Sequence, residues 1–301
     1  MSTPGFLPAD VRARLRQIAI TPRRARGDRG FGLHASNSRG AGVEFARYRG
    51  YEPGDEPRQI DWKLYARSDR WFVREAERDS PLAIWILVDA SASMAQADRA
   101  RPDWSRLDAA RALAAATMDI ALRQGDRFGL AILNADGLAM QAAAAGARHR
   151  DRCLLALDRL HAAGGWPGTS TLAPLHGRIA PRDLVLLLTD GFDADALALA
   201  GRLAAAQREV LAIRLLTVEE RDFPFERGHL FRDVEAGEEL RGDGGAMRAD
   251  FLRRFGAARR EQTARLAAAG IRQVEYVLDE PLDLPLRRLF DGGAGAGGGT
   301  A

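Results

Sequence analysis

Two short apolar runs, each ending in an aspartate, constrain this chain more than any other feature. Residues 84–88 (IWILV) lead into Asp89, and residues 184–188 (LVLLL) lead through Thr189 into Asp190. An uninterrupted apolar run of strand length is the pattern of a strand covered on both faces, as in a parallel sheet. Helix-length stretches alternate with such runs. Ser105 and Asp108 make a capping-box start for RLDAARALAAATMDIALRQ, with Trp104 placed as a hydrophobic staple and Gly125 as the stop. Beyond it, 127–133 predicts a strand, 151–160 and 195–207 helices, EVLAIRLLTV a strand, 251–269 a helix, GIRQVEYVL a strand and 285–290 a short last helix. This alternation predicts an α/β fold on a doubly wound, mostly parallel sheet. The stretch RDFPFERGHLFRDVEAGEELRGD interrupts it and reads as an irregular or two-stranded insertion near the sheet edge, with Arg241, Gly242 and Asp243 in a turn.

Upstream, Leu7, Val11, Leu15 and Ile18 recur at helical spacing and predict a short amphipathic helix packed on the main body. Residues 27–42 read as loop. From 43 to 73, apolar or aromatic stretches alternate with turn signals such as EPGDEPR, which predicts a hairpin-like β segment. The closing GGAGAGGGTA has the composition of a flexible linker. The expected organisation is an N-terminal helix and basic loop over 1–29, a β-rich extension over 30–80, an α/β domain over 81–291 and a disordered glycine-rich tail over 292–301.

Of the 301 residues, 46% are hydrophobic and 28% charged, a soluble globular composition. No apolar run approaches the roughly 18 residues that span a bilayer, and the N-terminus lacks the apolar core of a secretory signal. A cytoplasmic location is expected. Lys plus Arg number 44 against 41 Asp plus Glu. So even a balance gives the basic pI little force as a sign of nucleic-acid binding. The local basic bias over 11–30 reads as a solvated helix and loop. The single cysteine, Cys153, excludes an internal disulfide and a multi-cysteine metal site, and belongs on the apolar face of its helix. The five histidines lack metal-ligand spacing, which argues against zinc.

The chemistry therefore concentrates on oxygen. In open α/β sheets the working site lies beyond the carboxyl ends of the strands, where strand order reverses. Asp89 is followed by Ser91 and Ser93 at alternate positions, Asp190 ends a second strand, and between them the loop AGGWPGTSTLAPL offers Thr169, Ser170 and Thr171. Two carboxylates and several hydroxyls from three loops form a hard donor set without imidazole or thiolate, suited to Mg²⁺, Mn²⁺ or Ca²⁺. With so few charged donors, an octahedral ion keeps positions open for water or an outside ligand. In the same loop Trp166 reads either as a clamp onto the body or as a partner contact.

DASASM, GTST and TDG together resemble the metal-ion-dependent adhesion site of the von Willebrand factor A-like fold. The resemblance implies Asp89, Ser91, Ser93, Thr169 and Asp190 as the residues of a Mg²⁺ or Mn²⁺ site, with Thr171 the alternative to Thr169. Upstream, GVEFARYRGYEPGDEPRQIDWKLYAR, with Glu44, Phe45, Arg49, Tyr51, Gly54, Asp55, Arg58, Ile60, Asp61, Trp62, Ala66 and Arg67, resembles the bacterial domain of unknown function family 58. This implies a cytosolic protein working with a MoxR-type AAA ATPase in assembly or maturation of other proteins. Read without the family, Asp55, Arg58, Asp61 and Arg67 form either an ion-pair network fastening the extension or a partner-binding surface.

Three functions follow. The first is a non-enzymatic, metal-dependent protein-binding module whose ion accepts an acidic residue from the ATPase or a client protein. The second is a phosphohydrolase with Asp89 as nucleophile, although Ser91 stands where a second carboxylate is needed as general acid. The third is a structural subunit whose cation only stiffens the loops.

Overall fold

The structure is a computed structural model that describes residues 5–22, 45–51, 60–76, 83–232 and 239–290. The chain divides into two compact units, residues 29–81 and the remainder.

In the smaller unit, β1 (Phe45–Gly50) pairs antiparallel with β2 (Phe72–Ala76). The expected hairpin is interrupted by a helix, α2 (Trp62–Ser68), which the β reading of this stretch did not foresee. Its cause is Asp61, whose carboxylate accepts from the Lys63 and Leu64 amides as an N-cap. Asp61 thus serves as a helix cap. Tyr51, Tyr65 and Trp62 gather around Trp71 with ring centroids 5.6–6.2 Å apart. Glu44, Gly54, Asp55 and Arg58, the loop over 27–42 and the tail lie outside the described residues.

The larger unit is built on a six-stranded sheet, beside which β4 (Ala97–Asp98) and β5 (Arg101–Ser105) form a separate antiparallel pair. Strand β3 (Ala83–Asp89) lies at the centre of the sheet, parallel to β6 (Arg127–Asn134) on one side and β8 (Leu184–Thr189) on the other. Beyond β8 come β9 (Glu209–Leu216) and β12 (Arg272–Val277), also parallel. The fold is doubly wound α/β, as the strand–helix alternation predicts. One strand was not expected: β7 (Gly137–Ala144) folds back antiparallel on β6 and forms that edge. On the other edge, β12 is flanked by α9 (Leu284–Phe290), from which Arg288 Nη1 donates to the Glu275 carbonyl at 3.1 Å.

Successive residues of β3 serve opposite faces. Ile84, Ile86 and Val88 join one core with α3 (Arg106–Gln124), whose alanines admit close packing, and with α4 (Ala147–Asp158). Trp85 and Leu87 join the other with α5 (Ala173–Arg178) and α6 (Ala194–Ala205). The Ser105–Asp108 capping box starts α3 and Gly125 ends it, as the sequence indicates. Trp104 packs on the first core and Trp166 on the second, the clamp reading of Trp166. The N-terminal helix α1 (Ala9–Arg14) contributes Val11, with Leu7, Leu15 and Ile18 beside it, and Arg123 ties it down by donating to the Leu15 and Ile18 carbonyls.

The insertion forms a two-stranded ribbon, β10 (Gly228–Arg232) with β11 (Glu239–Asp243), following the short helix α7 (Val218–Asp222). Arg241, Gly242 and Asp243 are therefore strand rather than turn. Asp243 caps α8 (Gly244–Ala268) by accepting from the Gly245 and Ala246 amides, so this helix begins earlier than its apolar periodicity indicates.

Candidate functional site

From β3 the chain moves outward to β6 and β7, then returns to β8 on the opposite side of β3. The crevice beyond the carboxyl ends of β3 and β8 is thus the topological switch point, where such sheets place ligands. Asp89 closes β3 and Asp190 directly follows β8.

The loop after β3 is held by backbone on both sides. The Ala90 amide donates to the Leu133 carbonyl at 2.8 Å, the Ala92 amide to Gly164 at 2.7 Å, and Ala163 donates to the Ala90 carbonyl at 2.9 Å. Gly164 sits at φ +59°, and a Cβ there would meet the Ala135 side chain at 2.3 Å, so the glycine-rich loop needs glycine to reach its partner.

Within this frame the side-chain oxygens converge. Ser91 Oγ donates to Asp89 Oδ1 at 2.7 Å, the Ser91 amide reaches the same oxygen at 2.9 Å, and Ser91 Oγ lies 3.0 Å from Ser93 Oγ. Thr189 Oγ1 donates to Asp89 Oδ2 at 2.6 Å. Asp89, Ser91, Thr189 and Asp190 are buried, and Ser93 is half-buried. Burial, with the charge of Asp190 added, pushes the Asp89 carboxyl up to about 6, while bonds from Thr189 and Ser91 pull the other way.

Asp190 is joined to the cluster through Arg106 at the start of α3. Arg106 Nη1 donates to Asp190 Oδ2 at 3.2 Å and to the Ser93 carbonyl at 3.1 Å, its Nη2 pairs with Glu220, and its guanidinium lies over the Phe192 ring at 5.5 Å. The Phe192 amide donates to Asp190 Oδ1 at 3.0 Å. Gly191, at φ +77°, brings the backbone against Arg214, whose Nε a Cβ would meet at 2.7 Å.

Three of the five expected residues, Asp89, Ser91 and Ser93, are thus in direct contact, and Asp190 is one guanidinium away. Thr169 lies in an exposed turn and makes no side-chain hydrogen bond among the described residues, while the Thr171 methyl faces Gly137. Sequence reasoning missed Thr189, Arg106 and Glu220. Thr189 had a signal, a hydroxyl immediately before the strand-end aspartate. Arg106 had none, since an arginine in the first turn of a helix normally points to water.

The donor set fits a hard divalent cation. Neighbouring ligands about Mg²⁺, each at 2.0–2.1 Å, stand about 3 Å apart, which the Asp89–Ser91–Ser93 oxygen chain matches. Crowding of Asp89 against Asp190 is a repulsion that a cation relieves. Among the described residues no group of three or more His, Cys, Asp or Glu side chains is placed to hold a metal; the candidate centre relies on hydroxyls.

Residues 47–265 match the family described as "Protein of unknown function DUF58". The chain belongs to the DUF58 family. Uncharacterized proteins of Mycobacterium tuberculosis and Mycobacterium bovis are 29% identical to this DUF58 chain over 272 residues, covering 87% of it and 84% of their own length. Solved structures similar to it include the conserved hypothetical protein BatB from Bacteroides thetaiotaomicron, with TM-score 0.42, 15% identity and coverage of 69% of this chain and 95% of that chain. The Rpn10 VWA domain gives TM-score 0.42, 14% identity and coverage of 72% and 100%. An aerotolerance-related membrane protein from Bacteroides fragilis gives TM-score 0.43, 16% identity and coverage of 70% and 97%. Among the described residues of this DUF58 protein, no helix is long and apolar enough to cross a membrane.

Proposed function

We propose that this DUF58 protein is a non-enzymatic, divalent-cation-dependent protein-binding module. Asp89, Ser91, Ser93 and Asp190, with Thr169 or Thr171 brought in from the glycine-rich loop, would hold Mg²⁺ or Mn²⁺. The bound ion would supply an electrophilic position for a carboxylate of another protein. The observation that carries this reading is the Asp89–Ser91–Ser93 oxygen chain at the switch point, buried except at Ser93.

The chain's own residues prepare the site. The backbone bonds of Ala90 and Ala92 fix the loop, Thr189 orients the Asp89 carboxylate, and Arg106 holds Asp190 and the Ser93 carbonyl in register. A phosphohydrolase reading is disfavoured because Ser91 stands two residues after Asp89, where that chemistry needs a second carboxylate as general acid. The partner class follows from the family resemblance, a cytoplasmic MoxR-type AAA ATPase or a client protein presenting Asp or Glu.

The test is co-purification with a MoxR-type AAA ATPase from the same organism, in Mg²⁺ and in EDTA, for wild type and Asp89→Ala. Breaking one buried charge contact costs about 2–5 kcal/mol, so the complex is expected to dissociate in EDTA and in the variant. Binding unchanged in both would refute the metal-borne contact.

A further inference from the structure

Helix α8 runs for 25 residues, yet its only fully buried residues are Gly244 and Leu266. A helix of that length in a globular protein ordinarily hides an apolar stripe. Here the stripe exists but stays part-exposed. Met247, Phe251 and Phe255 recur at i, i+4 and i+8, all half-buried, and with Ala258 they line a pocket whose polar rim is Asp250 and Arg254. Phe251 and Phe255 stack at 5.3 Å, and Phe223 stacks on Phe251 at 4.3 Å.

This aromatic row leads to the candidate centre. Phe255 lies 6.2 Å from Phe192, which is 51% exposed although it directly follows Asp190 and Gly191. Gln262, one helical turn beyond Ala258, donates to the Gly191 carbonyl at 2.9 Å and so fixes α8 to the Asp190 loop. The apolar face and the oxygen cluster are therefore parts of one continuous surface, with Phe192 at the junction.

Its charge indicates what it accepts. Helix α8 carries six arginines against Asp250 and Glu261. Arg253 and Arg254 share Asp250, and Arg259 pairs with Glu275. Arg248, Arg260 and Arg265 are exposed and form no ion pair among the described residues. At helical periodicity Arg248 lies beside the start of the row and Arg265 continues its line beyond Gln262, while Arg260 turns to the opposite side of the helix; an apolar row with guanidinium groups at its ends is complementary to a segment that is apolar on one side and acidic on the other.

We propose that the α8 face, from Met247 through Phe255 to Phe192, is the apolar half of a two-part docking surface for an acidic amphipathic segment of another protein. Leucine- or phenylalanine-type side chains of that segment lie along the aromatic row, and its carboxylates meet Arg248, Arg265 and the candidate centre. This rests on the proposed metal-borne contact only for the last of those carboxylates.

The probe is a fluorescein-labelled helical peptide of about 16 residues with leucines at i, i+4 and i+8 and glutamates between them, the spacing that a helix-in-groove contact requires. Anisotropy is measured with the full chain in Mg²⁺ and in EDTA. Binding is expected to fall at least tenfold for Phe255→Asp and Phe192→Ser, for the peptide with serine in place of leucine, and for the peptide with glutamine in place of glutamate. Phe192→Ser replaces an already exposed ring, so it serves even where Phe255→Asp lowers the melting temperature. Loss in the aromatic variants with no change in EDTA or Asp89→Ala supports the docking face and overturns the metal reading. The reverse pattern overturns the docking face alone. Equal binding of the leucine and serine peptides, or no binding at millimolar protein, also overturns it.

Discussion

Arg106 and Asp190, 84 residues apart in the chain, form an ion pair at 3.2 Å with side-chain exposures of 0% and 2%. The same guanidinium holds Glu220 and the Ser93 carbonyl. Removing it leaves two carboxylates without their cation in a dry environment, a loss of about 3–5 kcal/mol. Arg106→Ala is therefore expected to lower the urea midpoint strongly. Arg106→Lys should recover only part, because a single ammonium cannot reproduce the planar fork. A loss below about 1 kcal/mol for Arg106→Ala, the scale of an exposed pair, would contradict the buried geometry.

Cation binding should grade with the charge of the donor removed. Asp89→Ala is expected to abolish the Mg²⁺ or Mn²⁺ heat in calorimetry, Asp190→Ala to weaken it substantially, and Ser93→Ala to weaken it least, since water can replace a neutral hydroxyl. Equal heats in wild type and Asp89→Ala would place the ion elsewhere.

The raised Asp89 carboxyl makes metal-free stability depend on pH in a defined direction. Its ordinary value is 3.8 and its folded value about 6. Between the two, the folded protein keeps a proton that the unfolded chain has released, so stability falls as pH rises through that window and the penalty is complete above it. A window of that width corresponds to roughly 3 kcal/mol. In EDTA, wild type minus Asp89→Asn is expected to show this slope between about pH 4 and 7. A flat difference curve would show that Asp89 is not buried in this way.

Cys153 lies fully buried on α4, and burial pushes its thiol up to about 12. At pH 8 a thiol reagent is expected to leave it unmodified in native protein and to titrate one thiol after addition of denaturant. Rapid native labelling would mean that α4 opens readily.

Most of the doubly wound sheet was legible because its central strands are continuous apolar runs with few other uses. Strand β7 escaped notice because GLAMQAAA is alanine-rich and poor in β-branched residues; it is a strand through its pairing with β6 rather than by propensity. Helix α2 was hidden by the aromatic residues around it, and the capping role of Asp61 toward the Lys63 and Leu64 amides went unread beside its charge. At the candidate centre, the alternate spacing of Asp89, Ser91 and Ser93 revealed the oxygen cluster. Arg106 and Glu220 were invisible because nothing local distinguishes a charged side chain that reaches inward from one that faces water.

The Arg288 guanidinium on the Glu275 carbonyl has a further meaning for assembly. A sheet ends where its last strand offers unpaired main-chain groups, and such a margin is where copies of a protein can stitch together into fibrils or where a visiting peptide can add itself as another strand. At β12 one of those groups is already claimed by Arg288, which is also held by Glu280 at 3.1 Å. An added strand would have to displace that arginine before gaining its first bond. Sheet extension at this margin therefore carries the added cost of releasing Arg288 from the Glu275 carbonyl and from Glu280.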